Sequence, residues 1–428
     1  MHRSISFLFI SLFVHLIMAQ DGFIDVEGTR FIKNGKPYYY LGTNFWYGMN
    51  LGAEGPGGKR DRLIRELDRL SGLGVNNLRI MAASEGPDDQ PWRMVPAMQT
   101  ARGQYNEDLL TGLDFLLDEM GKRDMHAVVC LANFWPWSGG MGQYLVWEEG
   151  GSIPYPPPAE GGSWHTYQTF TTRFYKSEAA MQAYENHLRT IIERTNGING
   201  KAYTEDPTIM AWQMANEPRG ILRPDAYRSW LQRTATFIKS LDQNHLVSIG
   251  SEGNTSSKYA GTNFAKDHAI EGVDYTTIHI WIQNWMWYNP EKHDKTFPKA
   301  EKKAKKYLKK HLKKAAKLNK PMVLEEFGIA RDLDDHSHEA STNARDAYYA
   351  SMFAEIHRRA EKGQAIAGCN FWAWGGEGRP SAPKSVWKAG DDFIGDPPHE
   401  YQGWYSVYEI DTSTLEVIRE FAAKMNAL

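Results

Sequence analysis

The sequence predicts a single (β/α)8 TIM barrel with a short N-terminal β-hairpin and long βα loops. Three observations predict it. Eight apolar, strand-like runs recur along the chain with helix-period segments between most of them, which is the alternation of a parallel α/β protein. No internal repeat and no linker divides the 428 residues, and closed α/β barrels are among the folds that run long as one unit. The rival, an open doubly wound sheet, lacks a phosphate-binding fingerprint. Residues 52–60 (GAEGPGGKR) are loosely P-loop-like, but Ala53 replaces the first glycine and Arg60 the Ser or Thr.

The elements follow in order. Residues 1–20 read as a secretory signal: His2 and Arg3 precede a largely apolar stretch, with Ala19 as the small residue for cleavage. This implies a secreted or periplasmic protein, a mature chain over 21–428, and a leader too short and interrupted to span a membrane. Residues 23–37, with Asn34-Gly35, read as a hairpin. The strand runs are residues 38–46, 75–81, 125–133, 209–217, 245–250, 274–281, 321–328 and 366–374. Helix patterns cover 60–73, 108–122, 178–195, 225–241, 299–318, 343–362 and 412–427. In the Lys-rich helix, Ala300, Ala304, Leu308, Leu312, Ala315 and Ala316 form one face and the lysines the other, the pattern of an outer barrel helix with a solvated side. Residues 139–164 and 375–404 read as long loops after strands three and eight, and loops at that face usually shape the site.

Composition narrows the function. A chain 42% hydrophobic and 24% charged is neither disordered, collagen-like nor a small disulfide scaffold. Balanced charge, −3 net, excludes a polybasic nucleic-acid binder. Aromatic residues make up 13% of the chain, an abundance that suits flat ligands such as sugars or bases and equally a large aromatic core. Cys130 and Cys369 lie in apolar runs and read as buried thiols, although an oxidising compartment would let them pair. Cys-x-x-Cys and His-Glu-x-x-His spacings are missing, so no metal site or cofactor is expected.

The chemistry concentrates at two strand ends. Strand four ends in WQMANEP, with Glu217, and strand seven in VLEEFG, with Glu325 and Glu326. In a barrel both ends reach one face. Two carboxyls across that mouth can hydrolyse a glycoside, one as acid and one as nucleophile or base, and their separation sets the stereochemistry.

With these glutamates stand Asn76-Asn77-Leu78-Arg79, residues 133–140 (NFWPWSGG), residues 215–220 (ANEPRG), His279-Ile280-Trp281, residues 325–328 (EEFG) and residues 371–376 (FWAWGG). In this order and over nearly the whole mature chain, they resemble glycoside hydrolase family 5, and most of all its endo-β-1,4-mannanases. The resemblance implies a retaining endo-acting enzyme on internal β-1,4-mannosidic bonds of mannans, galactomannan and glucomannan among them. It implies Glu217 as acid/base and Glu326 as nucleophile. Arg79 is expected to hold Glu326 ionised, Asn216 to bind the substrate 2-hydroxyl, His279 to serve the acid/base network and Trp372 to floor the −1 sugar. Where many members carry Tyr as a partner of the nucleophile, this chain has Trp281, whose indole can donate but not accept.

Trp46, Trp135, Trp137, Trp285, Trp287 and Trp404 lie in or beside βα loops as candidate sugar platforms. Arg219 is expected either to bind an aglycone-side sugar or to form a structural salt bridge. Strand alternation would point Glu325 away from Glu326. Arg79 is expected to lower Glu326, and the charge of Glu326 together with desolvation to raise Glu217. Two other functions stay open: an endo-β-1,4-glucanase on the same scaffold, and a carbohydrate-binding protein without catalysis.

Overall fold

The computed structural model describes residues 22–428, so the signal read over residues 1–20 lies outside the described residues. The chain enters through three short antiparallel strands, Ile24–Glu27, Arg30–Lys33 and Lys36–Tyr38, one more than the expected hairpin. Asn34 and Gly35 turn between the last two with φ of 52° and 73°, as a two-residue type I′ turn requires. Ile24, Phe31 and Tyr38 from this meander pack with Tyr40, Val128, Met210, Leu246, Tyr275, Val323 and Ala367. That cluster seals the N-terminal end of the barrel.

The eight barrel strands are β1 Tyr40–Asn44, β2 Asn77–Met81, β3 His126–Cys130, β4 Ile209–Gln213, β5 Leu246–Ser248, β6 Thr276–Ile280, β7 Met322–Phe327 and β8 Ile366–Phe371. All their residues are buried. Covering both faces is what makes parallel strands apolar throughout. The ladder runs β5-β4-β3-β2-β1-β8-β7-β6. The seam between β5 and β6 is bridged by Asp274 N to Val247 O at 2.8 Å, Val247 N to Asp274 Oδ2 at 2.6 Å, and His279 N to Glu252 O at 3.2 Å.

Seven expected helices are present: α1 Arg60–Gly72, α2 Glu107–Gly121, α3 Glu178–Ile192, α4 Pro224–Leu241, α6 His293–Leu318, α7 Asn343–Glu361 and α8 Thr412–Asn426. An eighth, α5 Phe264–His268, follows β5; five residues were too few to carry a periodic signal. Helix α6 starts earlier than expected and passes through Pro298. Its buried face adds Tyr307 and His311, whereas Ala316 is exposed. The loop after β3 is partly helical, with Gly140–Glu149 and Trp164–Thr171 flanking an irregular stretch. Cys130 and Cys369 are free and buried. Among the described residues no helix is long and apolar enough to cross a membrane.

Candidate active site

The runs of β3, β4 and β8 outlast their strands by three or four residues, and those extensions carry Asn133, Asn216, Glu217 and Trp372, while Arg79, His279 and Glu326 lie within strands. Beyond β4 the chain leaves the ladder. Asn216 N bonds Ala132 O at 2.8 Å and Glu217 N bonds Gly250 O at 2.9 Å. Glu217 sits at φ 50°, in the left-handed region uncommon for a residue with a Cβ. Pro218 disfavours the right-handed alternative for the residue before it. This turn presents Glu217 at the barrel mouth.

Strand β7 departs from simple alternation. Against β6 its register slips: Ile278 pairs with Leu324, but His279 pairs with Glu326. Glu325 is therefore the extra residue of a β-bulge, which re-aims side chains. The expectation that Glu325 points away is overturned. Its carboxylate accepts both 2.9 Å bonds from Gln213 Nε2 and lies 3.9 Å from Arg79 Nε and 3.7 Å from His279 Nε2. Both glutamates belong to one buried network.

Arg79 organises that network. It bonds Glu326 Oε1 through Nη1, Asn44 Oδ1 at 3.0 Å, Gln213 Oε1 at 2.7 Å and Asn216 Oδ1 at 2.8 Å. Asn216 in turn donates to Asn133 Oδ1 at 3.2 Å. Glu217 takes three N–H donors: His279 Nδ1 at 2.6 Å and Trp281 Nε1 at 3.3 Å on Oε1, and Trp135 Nε1 at 2.6 Å on Oε2. Trp281 thus serves Glu217, not the nucleophile-side Glu326 expected for it; its indole N–H, just past β6, reaches the carboxylate just past β4. His279 Nδ1 also lies 3.3 Å from Glu326 Oε2. One ligand atom each from Glu217, His279 and Glu326 lies within 4.8 Å of the others. Three such atoms could grip a cation, but Arg79 and His279 already supply the positive charge there.

The resting electrostatics reverse the expected order. Burial pushes Glu326 up to about 7; the nearby Glu217 charge adds to this, and His279 and Arg79 oppose it. Burial also acts to raise Glu217, but the hydrogen bond and charge of His279, the charge of Arg219 and the Trp135 N–H outweigh it and bring it down to about 2. Burial opposes a charged His279, yet the carboxylates around it lift it to about 10. These shifts favour a charged His279, whose Nδ1 faces Glu217 Oε1. Transfer of the Nδ1 proton along the 2.6 Å hydrogen bond to Glu217 Oε1 makes a neutral acid without changing the charge of the site.

These groups border a cavity of about 590 Å³, within the range of small-molecule sites. Trp135, Trp137, Trp285, Trp372 and Trp404 line it. Trp46 is 2% exposed, donates to Gly395 O at 3.0 Å and packs against Trp137. Trp287 packs beneath Trp285 and Tyr307, outside the cavity lining. Arg219 forms the expected ion pair, with Nε and Nη2 bonding both Glu252 oxygens at 2.6 and 2.8 Å, and also lines the cavity, where a sugar contact stays open.

Sequence reasoning missed Asn44, Gln213, Glu252 and Glu400. The first two are polar residues at strand C-terminal ends, a signal that was readable. Glu252 follows β5 and Glu400 lies in a long loop, where no local pattern marks them. Glu400 is half-buried, with Oε2 enclosed and unpartnered, and lines the cavity. Burial, and then the charges of Asp396, Glu326 and Glu217, push it well above the usual carboxylate range.

Two carboxyls joined through an imidazole, at the C-terminal ends of β4 and β7 and beside aromatic walls, define a barrel glycosidase. The comparisons agree. The description "GH family 5 beta-mannosidase-like" matches residues 21–428, and the chain belongs to glycoside hydrolase family 5, in the group of mannanases and mannosidases. It is 30% identical over 366 residues to mannan endo-1,4-beta-mannosidase 1 of Oryza sativa subsp. japonica, covering 82% of this chain and 78% of that protein. It is 31% identical to a putative mannan endo-1,4-beta-mannosidase 9 of the same plant, covering 83% and 82%. The crystal structure of a family 5 mannosidase from Rhizomucor miehei superposes with a TM-score of 0.87 at 42% identity, covering 94% of this chain and 97% of that one. A variant of that enzyme was solved in complex with mannosyl-fructose.

Proposed function

We propose that the protein hydrolyses the β-1,4-mannosidic bonds of mannans with net retention. Net retention rests on one observation, that an oxygen of Glu217 and one of Glu326 lie within 4.8 Å of each other, and the mannan substrate on the relatives named mannan endo-1,4-beta-mannosidase. Retaining pairs lie about 5–5.5 Å apart, whereas inverting pairs stand at about 6.5–9.5 Å to admit a water. Glu326 attacks the anomeric carbon while Glu217 gives its proton to the glycosidic oxygen, and the aglycone leaves as an alcohol. Glu217, now ionised, takes a proton from water, whose oxygen displaces Glu326 from the sugar. Arg79 holds Glu326 for attack, and His279 passes its proton to Glu217 before glycosylation and takes one back once water has reprotonated Glu217.

Internal cleavage is the first reading, supported by the relatives named mannan endo-1,4-beta-mannosidase. A second, removal of terminal mannose, is favoured by one contact. The ring of Trp164, on the loop after β3, meets that of His399, on the loop after β8, edge-on at 5.9 Å, which narrows the cleft. Chromatography of products separates the two: mixed oligosaccharides with a rapid fall in viscosity mark internal cleavage, and mannose alone marks terminal cleavage. Galactomannan turnover with little on carboxymethylcellulose is expected. Proton NMR should find the β-anomer first; the α-anomer first would end the retaining mechanism. Glu217→Ala should lower mannan turnover by about 10²–10⁴-fold, the usual contribution of a general acid. Secretion is likewise our reading of residues 1–20, checked by N-terminal sequencing of protein exported by an expressing host.

A further inference from the structure

Trp135 aims its indole N–H at Glu217 and is itself held from behind. The Arg219 guanidinium lies 4.8 Å from the centroid of the Trp135 ring. All three of its nitrogens are committed, Nε and Nη2 to the Glu252 carboxylate and Nη1 to Gln168 Oε1 at 2.9 Å. Bidentate pairing fixes the plane of a guanidinium, and a fixed cation over an indole face fixes the indole. Glu252 is anchored in turn. Its carbonyl accepts from Tyr307 Oη at 2.6 Å and from His279 N at 3.2 Å, which ties it to α6 and β6. Tyr167 stacks with Trp135 at 6.4 Å.

We propose that Glu252 and Arg219 are a positioning pair: through the ring of Trp135 they hold the Glu217 carboxyl in line for proton transfer to the leaving group. The proposal rests on the reading of Glu217 as acid/base. An indole N–H can only donate, so Trp135 orients Glu217 Oε2 without competing for its proton. The pair also carries opposite charges close to Glu217. The other titratable groups that act on Glu217, or on which it acts, are His279 from β6, Glu326 from β7, Tyr307 from α6 and Glu400 from the loop after β8; substitutions in the pair leave all of these in place.

The test uses leaving groups. A sugar alkoxide must be protonated to depart, whereas 2,4-dinitrophenolate leaves without a proton. Glu252→Gln, Arg219→Met and Trp135→Phe are each assayed on a manno-oligosaccharide and on 2,4-dinitrophenyl β-mannoside. We expect kcat/KM on the oligosaccharide to fall about 10–100-fold, a part of what a general acid supplies, and on the aryl mannoside by less than about threefold. On the oligosaccharide kcat should fall with KM nearly unchanged. Removing the Glu252 charge leaves Arg219 uncompensated beside Glu217, so the alkaline limb of kcat/KM moves down. Removing Arg219 leaves Glu252 uncompensated, so that limb moves up. A merely structural role would not give opposite signs. Equal losses on both substrates, a rise in KM with kcat intact, or limbs that stay put would overturn the proposal. The near-isosteric Glu252→Gln keeps the test decisive if Arg219→Met fails to fold. Glu217→Ala is run alongside: full oligosaccharide turnover by that variant removes the acid/base assignment itself.

Discussion

Glu217 and Glu326 are chemically identical and buried side by side, so whatever separates them comes from their neighbours. Glu217 collects three N–H donors, and Glu326 has Arg79 and the outlying reach of His279. Each glutamate's charge also acts on the other, so the limbs of the pH profile belong to the set of groups and not to one residue. In the proposed mechanism the acid limb of kcat/KM reports the ionisation of Glu326. Arg79→Met removes a cation that favours the ionised form, and the limb should rise. Glu217→Gln removes the anion that opposes it, and the limb should fall when measured on 2,4-dinitrophenyl β-mannoside, which needs no acid. Each shift should be of the order of one pH unit, a modest charge interaction of about 1.4 kcal/mol. Limbs that move together, or not at all, would show that these two groups do not tune Glu326.

At the scale of the element, the bulge in β7 is what brings Glu325 and Glu326 into the same interior. Glu325 makes two 2.9 Å bonds with Gln213 and faces Arg79 and His279. Glu325→Leu would leave the Gln213 amide and part of the Arg79 charge buried without a partner. Breaking one side of a buried ion pair costs about 3–5 kcal/mol, and the urea unfolding midpoint should fall accordingly. Glu325→Gln keeps the shape and one acceptor oxygen, so its midpoint should fall less. Equal midpoints for Glu325→Leu and the unsubstituted protein would mean the bulge network holds nothing together. Helix α6 has a different division of labour. Its apolar face packs on the barrel, and Tyr307 on that face also reaches Glu252 O and Thr255 N. An outer helix thereby braces the loop that carries Glu252.

Over the whole molecule, the barrel separates stability from chemistry. The meander seals one end through Phe31, which is fully buried against Tyr40 and Tyr275. Glu217, Glu326 and the cavity they border stand at the other end. Phe31→Ala should cost about 3–5 kcal/mol of unfolding free energy, as large-to-small changes in well-packed cores do. Values of kcat and KM at a temperature where the variant stays folded should match those of the unsubstituted protein. A large change in kcat at full folding would show that the seal reaches the active site.

The barrel, its strand order of events and both glutamates were legible because they are local patterns: apolar runs of strand length, helix-period segments, and Asn-Glu-Pro and Glu-Phe-Gly at strand ends. Seven helices and eight strands follow from periodicity, since burial against a sheet demands one apolar face of each helix. What could not be read was pairwise and long-range. The bulge that turns Glu325 inward exists only in the register of β7 against β6. The donors that lower Glu217 come from β6 and from the loop after β3, and the partner of Arg219 comes from beyond β5. Hydrogen bonds and charges act over a few ångströms in space between residues tens of positions apart, so the chain names the chemical groups and the closing of the barrel assigns each its partners and its surrounding charges.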